Sequence, residues 1–369
     1  MSVFQFAIVE RTRKSPFYDA TVAAGVQGFT VYNHMLLPTW YEGPKAEYFH
    51  IVNNVTMWDV AAERQVEITG PDAHKLVQLM TPRNLSKTKI GQCKYIPITD
   101  HNGGLLNDPV LLKLAENHYW VSLADTDILL YAQGIALGMG LDVTVVEPDV
   151  SPLAIQGPNH APVMAALFGD DINKVRFFRF VETELNGIPL VVARSGWSKQ
   201  GGFELYLRDG SRGTELWNMV AEAGDPFGIK PATPNSIERI ESGLLSYGND
   251  MTRENNPFEI GLNQFCDLEQ EADFFGKDAL KRIKAEGVKQ MLTGLVIEGD
   301  ERPGNSSKWM VSDGSKHAGH VTSATWSPRL EKNIALAMLG LDFQEFGTQL
   351  TVHSDAGDFG ATVHAVPFM

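Results

Sequence analysis

Two segments of this 369-residue chain repeat one device. "VEITGPDAHKLVQLM" (66–80) and "LAIQGPNHAPVMAAL" (153–167) each run from a short strand-like stretch through Gly-Pro to an apolar helical stretch. Proline cannot donate to a ladder, so the Gly-Pro pair ends the strand. Asp72 and Asn159 then stand where a helix N-cap is expected. A strand–turn–helix unit used twice predicts an α+β architecture with two related halves.

The same grammar continues. "HYWVSLADTD" reads as a strand running into a capped helix, and "LDVTVVEP" as another strand. "NSIERIESGLLSYGND" reads as a helix ending near Gly248, and "FFGKDALKRIKAEG" as a charged amphipathic helix ending at Gly287. From about Met291 onward, short alternating runs ("LTGLVIEG", "HAGHVTSATW", "IALAMLGL", "QLTVHS", "FGATVHAVPF") are separated by Gly, Ser, Asp and Pro turns. That predicts an α+β region over 1–285, made of two subdomains, and an all-β barrel or jelly-roll-like domain over 286–369.

Composition narrows the function classes. A formal net charge of −14 argues against nucleic acid, whose phosphates are bound mainly through Lys and Arg. Two cysteines, Cys93 and Cys266, supply neither a disulfide framework nor a CxxC metal site. The start "MSVFQFAIVERTRK" has its charges on the wrong side for a signal peptide, and no apolar stretch reaches membrane-spanning length. The expectation is a cytoplasmic protein without a membrane partner.

The segment "RSGWSKQGGFELYL" (194–207) looks at first like a phosphate cradle. A phosphate loop, however, feeds a helix N-terminus, whereas these glycines lead into "FELYL", which alternates with period two. Phe203, Leu205 and Leu207 fall on one face, and Glu204 and Tyr206 on the other. A carboxylate beside a phenol suits a ligand with N–H donors and an aromatic ring. An edge strand with a solvated polar face fits the same pattern. Trp197, among glycines, is expected in the loop.

In "KYIPITDHNGGLLNDPVLLKL" (94–114) the Gly103-Gly104 pair predicts a tight turn between two strands. Alternation then puts Leu106, Asp108, Val110 and Leu112 on one apolar face, where a carboxylate is costly without a partner. Pro109 removes a ladder donor, which points to an edge or a bulge. Asp108 is thus either functional or the group that closes the turn. The ten histidines show no metal-ligand spacing, and no GxGxxG follows a strand, so neither a metal nor a dinucleotide site is expected.

Taken in order, these stretches resemble the folate-dependent aminomethyltransferase family, the T-protein of the glycine cleavage system. The likeness runs from about residue 45 through "DVAAERQVEITGPDA", "GGLLNDPVLL", "LAIQGP", "SGWSKQGGFELYL", "IERIESGLLSYGNDM" and "GHVTSATWSPRLEKNIALAM". It implies a three-domain cloverleaf around a central folate channel, with tetrahydrofolate as cosubstrate and no metal or flavin. It places Glu204 on the family's pterin-gripping glutamate and Asp108 on the second aspartate of G-G-I-x-D-D. Arg239 and the Phe178-Arg179-Phe180 run fall on segments similar to folate-contacting ones, and Tyr206 beside Glu204 is grouped with them.

The departures redirect the substrate. The family's G-Y-T-G-E-D-G reads here G-W-S-K-Q-G-G, and the first aspartate of D-D is Asn107. "FYDATV…FTVYNHMLLP" and "VVARSGWSKQGGFE" are similar to family members that demethylate dimethylsulfoniopropionate. The expectation is transfer of an intact methyl group from that sulfonium to N5 of tetrahydrofolate, with another methyl donor as the alternative. Asp108 is the expected catalytic residue. Trp197, Tyr32 and Tyr95 are expected to wall the donor, with Lys94, Lys199 and His34 as candidates for its carboxylate. A homodimer is left open.

Overall fold

The computed structural model describes residues 9–369 and divides into two compact units. The first takes the chain up to Gln65, Pro148–Gly196 and Gln200–Pro234. The second takes Val66–Glu147, Trp197–Lys199 and Asn235–Met369.

The first unit is built on a six-stranded sheet. Its order is Phe180–Leu185, Ile188–Ala193, Gly202–Leu207, Ser151–Gln156, Val55–Asp59, Ile229–Pro231, with only the last strand parallel to its neighbour. The apolar side chains of "FELYL" explain its core. Phe203, Leu205 and Leu207 join Leu153, Ile155, Leu190 and Val192 under Val163, Met164, Leu216, Trp217 and Val220 of the helices His160–Phe168 and Gly213–Gly224. Gly202–Leu207 is an interior strand, buried at every residue, so the edge-strand alternative is overturned.

The second unit holds a five-stranded sheet, ordered Thr144–Val146, Gln65–Thr69, His118–Ser122, Val110–Ala115, Gln92–Tyr95. The helices Ala73–Met80 and Ile128–Met139 pack their apolar residues onto it. The unit also contains a closed six-stranded barrel formed by Gln290–Ile297, Lys332–Gly340, His317–Ser327, Trp309–Ser312, Gln349–Ser354 and Gly357–His364. Closure settles barrel against jelly roll, and Trp309–Ser312 is a strand the sequence pattern did not single out.

The repeated strand–Gly-Pro–helix device is present in both places, and glycine is required in each. Gly70 and Gly157 have φ of +121° and +129°. A Cβ there would lie 2.6 Å from the Asp142 carbonyl and 2.3 Å from the Asn54 carbonyl, respectively. The expected caps are not made: neither Asp72 nor Asn159 caps its helix through its side chain. Asp72 instead accepts from the Asp142 amide at 2.9 Å.

The helix expected to reach Gly248 stops far sooner, spanning Ser236–Glu241. Asn235 caps its start by accepting from the Ile237 and Glu238 amides. Gly243, at φ +66°, ends it: the Leu244 amide bonds back to the Arg239 carbonyl and the Gly243 amide to Ile240. These two bonds are a Schellman termination. "FFGKDALKRIKAEG" behaves as expected, with a helix over Lys277–Glu286 ending at Gly287.

Candidate functional site

In the first unit, register builds the surroundings of Glu204. Its cross-strand neighbours are Ala154 and Ala193, and those of Tyr206 are Pro152 and Val191. Two alanines beside the carboxylate leave its side chain room on a face otherwise lined by sheet. Glu204 is 5% exposed and Tyr206 1%. Both hydroxyls nearby donate to one carboxylate oxygen: Ser195 Oγ bonds Oε2, and Tyr206 Oη bonds Oε2 at 3.2 Å. Oε1 takes no hydrogen bond from the described residues. Burial raises the Glu204 pKa, and the Ser195 and Tyr206 hydrogen bonds only partly oppose it.

The loop entering this strand is shaped by Gln156. Its Nε2 donates to the Ser195 carbonyl at 3.0 Å and sits where a Cβ on Gly196 would be, 2.0 Å away, at a φ of +138°. Ser195 was not singled out from sequence; a small residue between a strand and a glycine loop carries little signal. Phe180 is buried at the start of its strand opposite Ala193. Phe178 holds φ +57°, its amide bonded to the Arg194 carbonyl, while the Arg179 carbonyl accepts from the Arg194 amide. Tyr32 ends a strand over Gly28–Tyr32 and packs partly buried against the unit's core, and His34 follows in the turn at φ +62°.

In the second unit, the Gly103-Gly104 turn is closed by Asp100, whose Oδ1 accepts from the Asn102 and Gly104 amides at 2.8 and 3.0 Å. The turn-closing role open to Asp108 is therefore taken. Asp108 lies in the gap between the strands Leu105–Asn107 and Val110–Ala115, so the single apolar face read from alternation is broken at Asp108-Pro109. Its Oδ2 accepts from the Tyr95 hydroxyl at 2.8 Å, and its Oδ1 is buried with no hydrogen-bond partner among the described residues. Burial pushes the Asp108 carboxyl up to about 7, the Tyr95 hydrogen bond opposing and nearby Asp250 reinforcing the rise. Tyr95, driven well above its usual range by burial and by Asp108, stays a phenol donor. Its ring packs edge-on to Phe265, 5.3 Å between centroids, and Arg83 lies over the other aromatic at 4.7 Å.

Trp197 belongs to this unit. Its indole Nε1 donates to the Leu245 carbonyl at 3.2 Å, and the Arg239 guanidinium lies 5.8 Å from its ring. Arg239 is itself held: Nη1 pairs with Asp250 Oδ2 at 2.7 Å, and Nη2 donates to Ser323 Oγ at 2.6 Å. Arg239, expected at the cofactor, thus has protein partners on both terminal nitrogens and borders the Trp197 ring. Lys199 is exposed, and Lys94 is half-buried in the strand Gln92–Tyr95. The described residues bring Glu204 with Tyr206, Asp108 with Tyr95, and Trp197 with Arg239.

A six-stranded sheet joined to helices, a second α/β unit and a terminal closed barrel define the class. The chain belongs to the glycine cleavage T-protein family: the GCVT N-terminal domain matches residues 17–270, and the glycine cleavage T-protein C-terminal barrel domain matches residues 290–369. Within that family it is similar to dimethylsulfoniopropionate demethylase DmdA of Ruegeria pomeroyi, 47% identical, with 96% of each chain covered. It is also similar to the aminomethyltransferase of Halalkalibacterium halodurans, 30% identical over 96% of this chain and 98% of the relative. The fold matches that of aminomethyltransferase T from Bartonella henselae, with a TM-score of 0.87 at 23% identity, covering 97% and 98% of the two chains. Among the described residues, no helix is long and apolar enough to cross a membrane.

Proposed function

We propose that this protein moves an intact methyl group from dimethylsulfoniopropionate to N5 of tetrahydrofolate, giving 3-(methylthio)propanoate and 5-methyltetrahydrofolate. The observation that carries the reading is the 47% identity, over 96% of both chains, to a dimethylsulfoniopropionate demethylase, against 30% for an aminomethyltransferase.

The chemistry is an in-line displacement. The N5 lone pair forms the new N–CH3 bond while the C–S bond breaks, its electron pair leaving on sulfur as a neutral thioether. The N5 proton then goes to solvent. A sulfonium is already a good leaving group and N5 is already a free amine, so the demand is for approach and alignment, which supplies about 7–11 kcal/mol at best.

Glu204 is assigned to the pterin: Oε1, which takes no donor among the described residues, and the remaining capacity of Oε2 accept N–H groups of the ring. Tyr206 holds that carboxylate, and Phe178, Arg179 and Phe180 border the same ligand. Asp108 is assigned to the cation that grows on N5. An ion pair at about 4 Å gives about 1 kcal/mol in water and about 4 kcal/mol at an effective dielectric of 20. Because that charge is absent from the reactants, the contact favours the transition state over the ground state. Trp197, Tyr32 and Tyr95 are assigned to the donor, and an indole face holds a sulfonium by about 0.5–2 kcal/mol.

The test is donor carrying fully deuterated methyl groups, with mass spectrometry of the folate product. Direct displacement retains the whole CD3 group. Loss of one deuterium, ammonia release, or a requirement for a lipoylated carrier overturns the substrate reading and favours aminomethyl transfer.

A further inference from the structure

Trp197-Ser198-Lys199 is a three-residue stretch on a glycine-flanked loop and belongs to the second unit. The side chain at its backbone is Glu238, on the short helix Ser236–Glu241 and 1% exposed. Glu238 Oε1 accepts from the Lys199 amide at 2.9 Å and from Ser242 Oγ at 3.0 Å. The next residue on the helix, Arg239, lies against the Trp197 indole, and Leu245, just beyond the helix stop, takes the indole N–H at 3.2 Å.

The helix is itself anchored. Asp250, 1% exposed, accepts from Arg239 Nη1, the Ser246 amide, Thr322 Oγ1 and Ser323 Oγ. A buried carboxylate with this many donors is a rigid point, because losing any one leaves charge or a polar group unpaired in a low-dielectric interior. Asp250 also cancels the charge of Arg239. An uncompensated guanidinium beside the indole would repel a second cation brought to the same ring.

We infer that Glu238 is a positioning residue for the donor: it clamps the backbone at Lys199 and so fixes the indole of Trp197 as a preformed wall. The inference rests on the proposal that Trp197 meets the donor. A glycine-flanked loop is otherwise the kind of segment that opens locally at little cost. Preorganising its aromatic spares the donor the ordering of that side chain on binding.

The test uses the full chain with Glu238→Ala and Glu238→Gln, each alone and combined with Trp197→Ala. Lys199 is exposed, so the rate of tryptic cleavage after Lys199 reports the clamp without any substrate. The expected result is cleavage faster by about tenfold in Glu238→Ala, with Glu238→Gln in between, because its amide oxygen still accepts from the Lys199 amide. The donor KM should rise about tenfold, with kcat and tetrahydrofolate affinity within about twofold of wild type. The double variant should be no worse than Trp197→Ala alone, as for residues acting through one another. Unchanged cleavage at Lys199 overturns the clamp. Faster cleavage with fully additive losses overturns action through Trp197. A wild-type protein that makes no methylated folate from the donor sinks the functional reading alone, since the proteolysis result stands apart from it.

Discussion

Replacing Asp108 by asparagine removes a charge, keeps the shape, and reports directly on what the fold gives up to hold that carboxyl. Asp108 Oδ1 is buried with no hydrogen-bond partner among the described residues, and the carboxyl is pushed from 3.8 up to about 7. A carboxyl raised in the folded state keeps its proton where the unfolded chain has released it. Between about pH 4 and pH 7 the folded chain therefore binds more protons, and the unfolding free energy falls as pH rises. The slope approaches about 1.4 kcal/mol per pH unit. Integrated, the burden is about 2 kcal/mol at pH 5 and about 4 kcal/mol at pH 8.

Asp108→Asn has no such burden, so its stability relative to wild type should improve by about 2–3 kcal/mol from pH 5 to pH 8. With about 2.1 cal/mol/K of unfolding entropy per residue, that is a shift in Tm difference of about 3 °C for a fully cooperative transition, and more if the second unit melts alone. The assay is thermal and denaturant unfolding of the ligand-free protein at pH 5, 6, 7 and 8. In parallel, kcat of the variant should fall on the order of tenfold or more with little change in ligand affinity. A stability difference that is flat with pH refutes the buried, half-ionised carboxyl. A variant that loses stability at every pH but turns over normally makes Asp108 a structural residue.

Glu204→Gln should weaken tetrahydrofolate binding by about 1.5–3 kcal/mol, the loss expected for a charged acceptor, as read by calorimetric titration; unchanged affinity removes Glu204 from the pterin site. A ligand that brings positive charge or N–H donors to Asp108 lowers its pKa, so tetrahydrofolate, through its N5–H, or its complex with a cationic donor analogue should release up to about half a proton at pH 7. Titrations in buffers of differing ionisation enthalpy measure this, and the release should vanish in Asp108→Asn.

Local pattern carried the sequence reading wherever the determining forces were local. Alternation in "FELYL" placed Glu204 and Tyr206 on one face because the strand period is fixed by the backbone. The same pattern was silent on whether the strand lies at an edge, since its partners Ser151–Gln156 and Ile188–Ala193 are set by tertiary pairing. The pattern points to Gly248 as the helix stop, although Gly243 stands five residues nearer; only the bonds from Leu244 to Arg239 and Gly243 to Ile240 decide between the two glycines. Asp100 and Asp108 flank one turn, and sequence could not say which closes it. Asp250 ends the family-like stretch "IERIESGLLSYGNDM", yet the string does not tell that it meets Arg239, and Glu238 carries no signal at all, because a clamp is a property of what the side chain meets in space.

The contrast among buried carboxylates is the physical basis for assigning Asp108 and Glu204 to ligands. Asp250 pairs with Arg239 and takes three further donors; Glu241, fully buried, takes Ser327 Oγ and pairs with Arg329 at 2.7 Å. Asp100 takes two amides and pairs with Arg253 at 2.8 Å. Each of these has the guanidinium and hydrogen bonds that make a buried charge tolerable. Among the described residues, the side-chain donors to Glu204 and Asp108 are neutral hydroxyls, two on Oε2 of the former and one on Oδ2 of the latter, and burial raises both pKa values. Asp59, raised to about 6 by burial, likewise meets no guanidinium among the described residues, but it takes donors on both oxygens, Ser15 Oγ on Oδ2 and the Ala61 amide on Oδ1; Glu204 and Asp108 each take side-chain donors on one oxygen alone. Unused acceptor capacity in a low-dielectric setting destabilises the ligand-free chain and is recovered only when a donor-bearing or cationic group arrives. A reaction that moves positive charge from sulfur to nitrogen brings such a group, and the carboxylate that lacks a built-in counterion is the one whose interaction can grow as that charge develops.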